Sequence, residues 1–345
     1  MKKQHFVLLT AIVVFSVASA LVRPAAAQSL SSTTLSLYPA DAGEVGFADL
    51  RTLRLSPHYA QLRKELLPAR LRELETFARS LGIDLEIQSH QMSWALGGTA
   101  GVAPATQEAK AMTVPPAAQA TEGELIAIIE GAFSPSAVLE RARASKIGVT
   151  QASGQAVISA GRNERGQEFV FTFPDSATLV FGPRTALEAL LSRRADGRAG
   201  LSGASVLGPL IAKTNGHSPM WIVMNQKFTE MGFRHLAPEM ASQEQAQTLL
   251  SAVNSSAVDL TLSRDLAGHV ALNCRGVPEA QLVAAVFQAG VALAAAQYSE
   301  NDPDFASTIR GTAVELSGDH VEAKLHIPER QVAALLQKHG FLFKP

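Results

Sequence analysis

Two pairs of similar segments constrain the fold of this chain more than any other feature. PRTALEALLSRR begins at Pro183 and PERQVAALLQKH begins at Pro328, and each of these helical patterns directly follows a predicted β-hairpin. Near the start of each half, VGFADLRTL from Val45 and WIVMNQKFT from Trp221 combine a strand pattern with polar residues that precede a helix. A fixed order of such units, with extra residues confined to loops, indicates an internal duplication.

The spacing of apolar residues assigns the elements within each half. Strict alternation over 169–173, followed by a turn and a strand at 178–181, predicts a hairpin. Leucines at helical spacing follow Ser56-Pro57, a pair typical of a helix start. The first half carries two insertions, a loop at 101–122 and a hairpin at 149–160.

Both halves then follow the order βαββαββα, which is related to the ferredoxin-like fold. We therefore predict an α+β protein with two duplicated halves, mainly antiparallel sheets, and helices packed on one face. Whether the halves share one sheet or form two is left open by the sequence.

A signal peptide is expected at the beginning of the chain. Lys2 and Lys3 precede an apolar run over 6–22, and Ala25-Ala26-Ala27 comes directly before Gln28. A positive start, an apolar stretch and small residues at the cleavage position are the layout of a secretory signal. We predict cleavage between Ala27 and Gln28, and a location in the periplasm or outside the cell. An uncleaved membrane anchor is the alternative, because the apolar run is close to the shortest that spans a bilayer.

The predicted organisation follows from this cleavage site and from chain length. After cleavage, 318 of the 345 residues remain, more than one hydrophobic core usually organises. The predicted units are a signal peptide at 1–27, an N-terminal segment at 28–43, a first α+β half at 44–197 containing the 101–122 low-complexity loop, a connector at 198–219, and a second α+β half at 220–345.

The charge balance argues against nucleic acid as a partner. Cleavage would remove Lys2, Lys3 and Arg23, leaving 27 basic residues against 31 acidic ones and a net charge of −4. Nucleic-acid-binding proteins usually carry a basic stripe or patch, which this balance does not support. A membrane contact is expected only through the signal segment, if it stays uncleaved.

The single cysteine, Cys274, cannot form an intramolecular disulfide. It shares strand parity with Val270 and Leu272, which predicts a buried and unreactive thiol, because thiol chemistry requires access.

The first half contains the residues that support a family resemblance. A strand leads into Asp49 and Leu53, then into Ser56-Pro57 and a helix, and Gly82-Ile83-Asp84 follows that helix. With the repeated hairpin-helix units behind it, this arrangement resembles exported bacterial proteins of unknown function. The resemblance spans most of the chain after the signal segment. It implies no activity, cofactor or site residue.

The common catalytic and metal-binding motifs give no catalytic residue, metal ligand or cofactor. The nucleophile-elbow pattern Gly-x-Ser-x-Gly is not present in the sequence. His320, Glu322 and His326 share one face of a predicted strand, but Lys324 lies on that face and would repel a cation. These four polar residues are therefore predicted to form a solvated surface.

Two groups of polar residues are candidates for a binding site. Asp49, Arg51 and Arg54 follow the first predicted strand, and Asn225 and Lys227 follow the similar strand of the second half. Residues at equivalent strand ends would line a cleft between the halves. Solvated turn residues explain both groups equally well.

Two functions are compatible with these observations. The first is a non-catalytic binding or scaffolding protein of the bacterial cell envelope, with an envelope protein, a peptide or a glycan as its partner. The alternative is an exported hydrolase whose Asp/Glu pair meets only in the folded protein, since an acid and a base can come from different loops.

Overall fold

A computed structural model describes most of the chain between residues 29 and 332. The predicted cleavage site at Ala27 and Gln28 and the 101–122 loop lie outside the described residues. The described residues are 29–60, 63, 69–97, 125–162, 166–197, 200–201, 205–236 and 244–332.

The strands form one 12-stranded sheet. They are β1 (Ala42–Asp49), β2 (Ser89–Gly97), β3 (Leu125–Gly131), β4 (Val149–Ala152), β5 (Gln155–Arg162), β6 (Glu168–Asp175), β7 (Thr178–Pro183), β8 (Met220–Asn225), β9 (Val253–Leu262), β10 (Leu266–Cys274), β11 (Ala313–Ser317) and β12 (His320–Ile327).

Strand order shows how the two parts of the chain share this sheet. Across the sheet the order is β11-β12-β10-β9-β8-β1-β2-β3-β7-β6-β5-β4. At the centre, β1 pairs antiparallel with β8, placing Val45 opposite Val223 and Phe47 opposite Trp221. Moving outward, β1-β2-β3-β7-β6 on one side corresponds in order to β8-β9-β10-β12-β11 on the other. The α+β class is thus confirmed, and the sheet is shared.

The finer prediction of a ferredoxin-like arrangement is not confirmed. A split βαβ unit places parallel strands in the same sheet. Here the pairings between described strands are antiparallel, and β1, β2 and β3 lie side by side in chain order.

Helices surround the sheet. They are α1 (Ser32–Leu37), α2 (Leu50–Arg54), α3 (Ala69–Ser80), α4 (Leu85–Gln88), α5 (Pro135–Ala144), α6 (Arg184–Ala195), α7 (Gly208–Thr214), α8 (Gln226–Leu236), α9 (Glu244–Ala252), α10 (Val277–Tyr298) and α11 (Pro303–Arg310).

The prediction that helices pack on one face is wrong. Ile128 and Ile129 are consecutive on β3, so their side chains point to opposite faces. Ile128 belongs to the same buried cluster as Leu187 of α6, whereas Ile129 clusters with Val138 of α5. Because the central strands are apolar on both sides, each face needs a helical cover. We call the side of Ile128 the first face and the side of Ile129 the second face.

The first face is most tightly packed where the two parts of the chain meet. Phe47 and Trp221 are both fully buried and stack with their ring centroids 5.7 Å apart. Tyr38, also fully buried, donates a hydrogen bond from its hydroxyl to Ser93 Oγ at 2.7 Å. The core of the first face therefore includes residues from both sides of the β1–β8 pair.

On the second face, α10 is the longest described helix. Ala280 and Val283 are buried, but Leu282, Val286 and Leu293 on its other side are 45, 44 and 51% exposed. In the described part of the chain, this helix alone is long and apolar enough to cross a membrane by length and composition. Its packing against β10, β11 and β12 shows that one side belongs to the core.

Cys274 ends β10 and is 2% exposed, in a cluster with Leu272 and Val283. The prediction of a buried cysteine is confirmed. Burial, reinforced by the charges of Asp319 and Glu279, raises the pKa of its thiol to about 11, which keeps it protonated at neutral pH.

Candidate functional site

The structure separates the two predicted groups of binding residues. Because β1 and β8 are antiparallel, the end of β1 lies beside the beginning of β8, where the Asp49 N–H donates to Pro219 O at 2.6 Å. Asn225 ends β8 beyond Met224, which pairs with Glu44 near the other end of β1. The structure therefore does not bring Asp49, Arg51 and Arg54 together with Asn225 and Lys227.

A local structural role accounts for Asn225. Its Oδ1 accepts a hydrogen bond from the Phe228 N–H at 3.0 Å, and its carbonyl accepts one from Thr229 Oγ1 at 2.9 Å, at the beginning of α8. Lys227, in the first turn of that helix, is exposed. This arrangement is a helix start, and it gives Asn225 a structural role.

Asp49 has a similar role at α2, and that role positions the two arginines. Its carboxylate accepts hydrogen bonds from the Arg51 and Thr52 N–H groups, each at 3.1 Å, and from Thr52 Oγ1 at 2.7 Å. Leu53, 7% exposed, anchors the helix in the core. Arg51 and Arg54 are three residues apart, so they lie on the same side of this turn.

Sheet register adds a histidine to the two arginines. Asp49 pairs with Gln91, so His90 on β2 lies beside the beginning of α2. Burial lowers the pKa of His90, and the charges of Arg51 and Arg54 lower it further. The three residues Arg51, Arg54 and His90 form what we call the basic cluster.

Arg54 is the most unusual member of the basic cluster. Its Nε and Nη2 atoms are buried and have no hydrogen-bond partner among the described residues. Buried donors of this kind are normally paired, because leaving them unpaired costs about 1–3 kcal/mol each. An acceptor supplied from outside the chain would remove that cost.

Two exposed apolar side chains flank the basic cluster along the chain. Leu55 follows Arg54 directly and is 80% exposed, and Ile87 on α4 precedes His90 by three residues and is 76% exposed. They are among the most exposed large apolar residues in the described part of the protein. The corner formed by α2, α4 and β2 therefore combines positive charge with apolar surface.

A second charged group lies on the first face, in the sheet of the second half. His269 Nδ1 lies 2.7 Å from Asp259 Oδ2, and its Nε2 lies 3.4 Å from Glu322 Oε2. Lys213 from α7 and Lys324 approach the same glutamate at 2.8 and 3.4 Å. The hydrogen bond from Lys213, which outweighs burial, lowers the pKa of Glu322 to about 2. This group is an ion-pair network, and its Lys213–Glu322 contact joins α7 to β12.

The network makes stability depend on pH. Burial alone lowers the pKa of His269, but Asp259 and Glu322 together raise it above its ordinary value. The stabilisation is therefore fully present below the unfolded-state pKa of about 6.5 and is lost as pH rises through the raised folded-state pKa. We expect His269→Gln to destabilise the protein by about 1.5 kcal/mol near pH 5.5, and by much less near pH 9.

Urea unfolding of both proteins across this pH range measures the effect. His217→Gln, at an exposed position after α7, is the control and should cause no comparable pH-dependent loss. A His269→Gln effect that grows as pH rises would contradict the assignment.

The polar face of β12 is as the sequence predicts, with Val321, Ala323, Leu325 and Ile327 buried on the other side. His320 Nδ1 lies 2.6 Å from Asp319 Oδ1, and His326 Nε2 lies 3.2 Å from Asp265 Oδ2. His320 and His326 thus contact different carboxylates, whereas Glu322 and Lys324 contact each other within the network described above. Among the described residues, no group of three or more His, Cys, Asp or Glu side chains is arranged to hold a metal ion.

The hydrolase alternative needs a carboxylate with a raised pKa next to an ionised one. Burial raises the pKa of Glu44, which accepts a hydrogen bond from Trp94 Nε1 at 2.9 Å. The two carboxyl groups with strongly lowered pKa values, Glu168 and Glu322, lie on β6 and β12. Glu44 lies on β1, several strands away from either. These three residues do not form an acid/base pair.

Sequence reasoning identified Arg51 and Arg54 but missed His90. In the sequence, His90 is a polar residue before a predicted strand, more than thirty positions from Arg54. Only the β1–β2 register brings them together. Asp49 before a short helix was a usable signal for the position of the arginines.

The fold is that of an α+β protein with one large antiparallel sheet. No family model matches the chain, and no curated protein matches it. The resemblance based on Asp49, Leu53, Ser56-Pro57 and Gly82-Ile83-Asp84 therefore remains a prediction.

Among solved structures, the chain is similar to TP0453, a bacterial protein. Its crystal form I is 9% identical with a TM-score of 0.47, covering 93% of this chain and 100% of that one. Its crystal form IV is 8% identical with a TM-score of 0.49, covering 88% and 96%. At this level of similarity, no function is transferred.

Proposed function

We propose that this protein is an exported, non-catalytic binding protein of the bacterial cell envelope, built from two duplicated βαββαββα halves. The observation that carries the binding function is the basic cluster, in which Arg54 holds two buried, unpaired donors beside Arg51 and His90. The corresponding strand orders on the two sides of the β1–β8 pair support the duplication. Export rests on the signal pattern at 1–27.

Binding is favoured over hydrolysis by the chemistry of the cluster. A guanidinium group attracts and orients an anion but is not suited to relay a proton, and Arg51 and Arg54 each supply such a group. Asp49, the neighbouring carboxylate, accepts the hydrogen bonds that start α2. A cluster with these properties holds a ligand, and chemistry would require further groups.

Export is tested by expressing the full chain in a bacterial host, separating the cell fractions and measuring intact mass. We expect a species that begins at Gln28 in the soluble envelope fraction. A full-length species in the membrane pellet would contradict cleavage and would make the protein an anchored one.

Binding and hydrolysis are separated by incubating the purified protein with the low-mass soluble fraction of the host envelope. After gel filtration, molecules released by denaturing the protein are compared by mass with the input. A binding protein returns at least one input molecule unchanged, and Arg54→Gln loses it. Input molecules replaced by cleavage products would support the hydrolase instead.

The matched control for this experiment is Arg310→Gln. Arg310 is an exposed arginine in the last turn of α11. This variant should retain the same molecule as the unaltered protein. Equal retention by the unaltered protein and Arg54→Gln would show that the basic cluster is not the site.

A further inference from the structure

We infer that the basic cluster binds a phosphate or carboxylate group on a small ligand whose apolar part lies against Leu55 and Ile87. This inference rests on the proposed function and specifies its ligand class. It combines the unpaired edge of Arg54, the charges that surround it and the exposed apolar side chains beside it. Each of these is argued in turn.

The geometry of Arg54 selects the anion. Nε and Nη2 lie along one edge of the guanidinium group, and both are unpaired. Two N–H groups along one edge match two oxygens of a carboxylate or phosphate and bind them bidentately. Both atoms are buried in the described conformation, whereas Arg54 as a whole is only partly buried, so binding requires that its side chain turns to present this edge to the ligand. A single hydroxyl or amide oxygen would satisfy only one of the two donors.

The surrounding charges add a preference for negative ligands. Arg51 is exposed beside Arg54, and the charges of both arginines add to the effect of burial in lowering the pKa of His90. A bound anion would offset this repulsion and favour protonation of His90, which would then donate a further hydrogen bond. An anion would thus interact with up to three donor side chains.

The exposed apolar side chains indicate that the rest of the ligand is apolar. Leu55 and Ile87 are each largely exposed, and each lies close in the chain to a member of the basic cluster. A ligand with four or more methylene groups would gain about 0.8 kcal/mol for each that it buries. An amphiphilic anion should therefore bind more tightly than an inorganic one.

Hexyl phosphate, inorganic phosphate, hexanoate and hexanol test the inference on the intact protein. The imidazole NMR signal of His90, assigned by its loss in His90→Gln, is followed during titration with each compound at constant ionic strength. We expect hexyl phosphate or hexanoate to shift this signal at about ten-fold lower concentration than inorganic phosphate does, a difference of about 1.4 kcal/mol. Hexanol should leave it unchanged.

Four variants make the result specific. Arg54→Gln should weaken binding of hexyl phosphate at least about ten-fold, consistent with the loss of a charged bidentate contact. Arg51→Gln should also weaken binding of hexyl phosphate. Arg51 is exposed, so this substitution should not affect folding. Leu55→Ser should remove the advantage of hexyl phosphate over inorganic phosphate. Arg310→Gln should bind as the unaltered protein does.

Several outcomes would overturn the inference. These are no response of His90 to any of the anions, an equal response to hexanol, or unchanged binding in both arginine variants. Association with phosphatidylglycerol vesicles but not with hexyl phosphate would show a membrane surface and would also overturn a small-ligand site. If an envelope molecule is retained unchanged while the anion probes fail, the ligand class is wrong and the binding function stands. If no envelope molecule is retained and the anion probes also fail, both the ligand class and the proposed binding function are wrong.

Discussion

Replacing Trp221 with alanine is expected to destabilise the protein by about 3–5 kcal/mol, the range for a fully buried large aromatic residue. Trp221 is completely buried and stacks on Phe47 across the β1–β8 pair. This pair joins the two parts of the sheet. The cavity would therefore open where the first face connects both halves, and unfolding should remain a single transition at lower denaturant concentration.

Guanidinium chloride unfolding, followed by far-ultraviolet circular dichroism, measures this loss. Val286→Ala on α10 is the control, because Val286 is 44% exposed and should lose under about 1 kcal/mol. A Trp221→Ala loss no greater than that of Val286→Ala would mean that the central packing is not as described.

Gly46→Ala is expected to cost about 2–3 kcal/mol, although it adds only one methyl group. A Cβ at Gly46 would lie 2.1 Å from Cζ2 and 2.2 Å from Cε2 of the Trp94 indole. Trp94 would have to leave its position over β1, and its Nε1–H bond to Glu44 would be lost with it. Both the displacement and the lost hydrogen bond destabilise the folded state.

Gly148→Ala provides the matched comparison for Gly46→Ala. At Gly148 the nearest atom to an added Cβ is 3.6 Å away, an ordinary contact. Its midpoint in thermal unfolding should stay within a few degrees of the parent, whereas Gly46→Ala should unfold at clearly lower temperature. Equal unfolding midpoints for the two variants would show that Trp94 can move aside without loss of stability.

Elements with strong periodicity were predictable from the sequence. The predicted hairpin at 149–160 corresponds to β4 and β5, and its turn contains Ser153 and Gly154, both with positive φ. A two-residue turn with positive φ at both residues matches the right-handed twist of the two strands that it connects. The helix α8 was not predicted, because Asn225 and the polar residues after it were interpreted as turn residues.

The periodicity of apolar residues could not predict which strands pair or which face of the sheet each helix covers. Periodicity shows that Ile128 and Ile129 are both apolar, but it does not say what covers each side of β3. The helix α6 covers one side and α5 the other. The basic cluster depends in the same way on register, because His90 reaches Arg51 and Arg54 only through the pairing of Asp49 with Gln91.

The single sheet also sets the length of the path between its two edge strands. Neighbouring strands lie about 4.8 Å apart, so the eleven intervals between its twelve described strands amount to about 50 Å, measured along the sheet from β4 to β11. Both edge strands have backbone groups on their outer side that pair with no described strand. Ten described strands lie between the two edges in this order, so a molecule that adds to one edge strand pairs with a different part of the chain from one that adds to the other. β4 and β11 share no strand partner, so substitutions that weaken one edge and the other should have additive effects on stability.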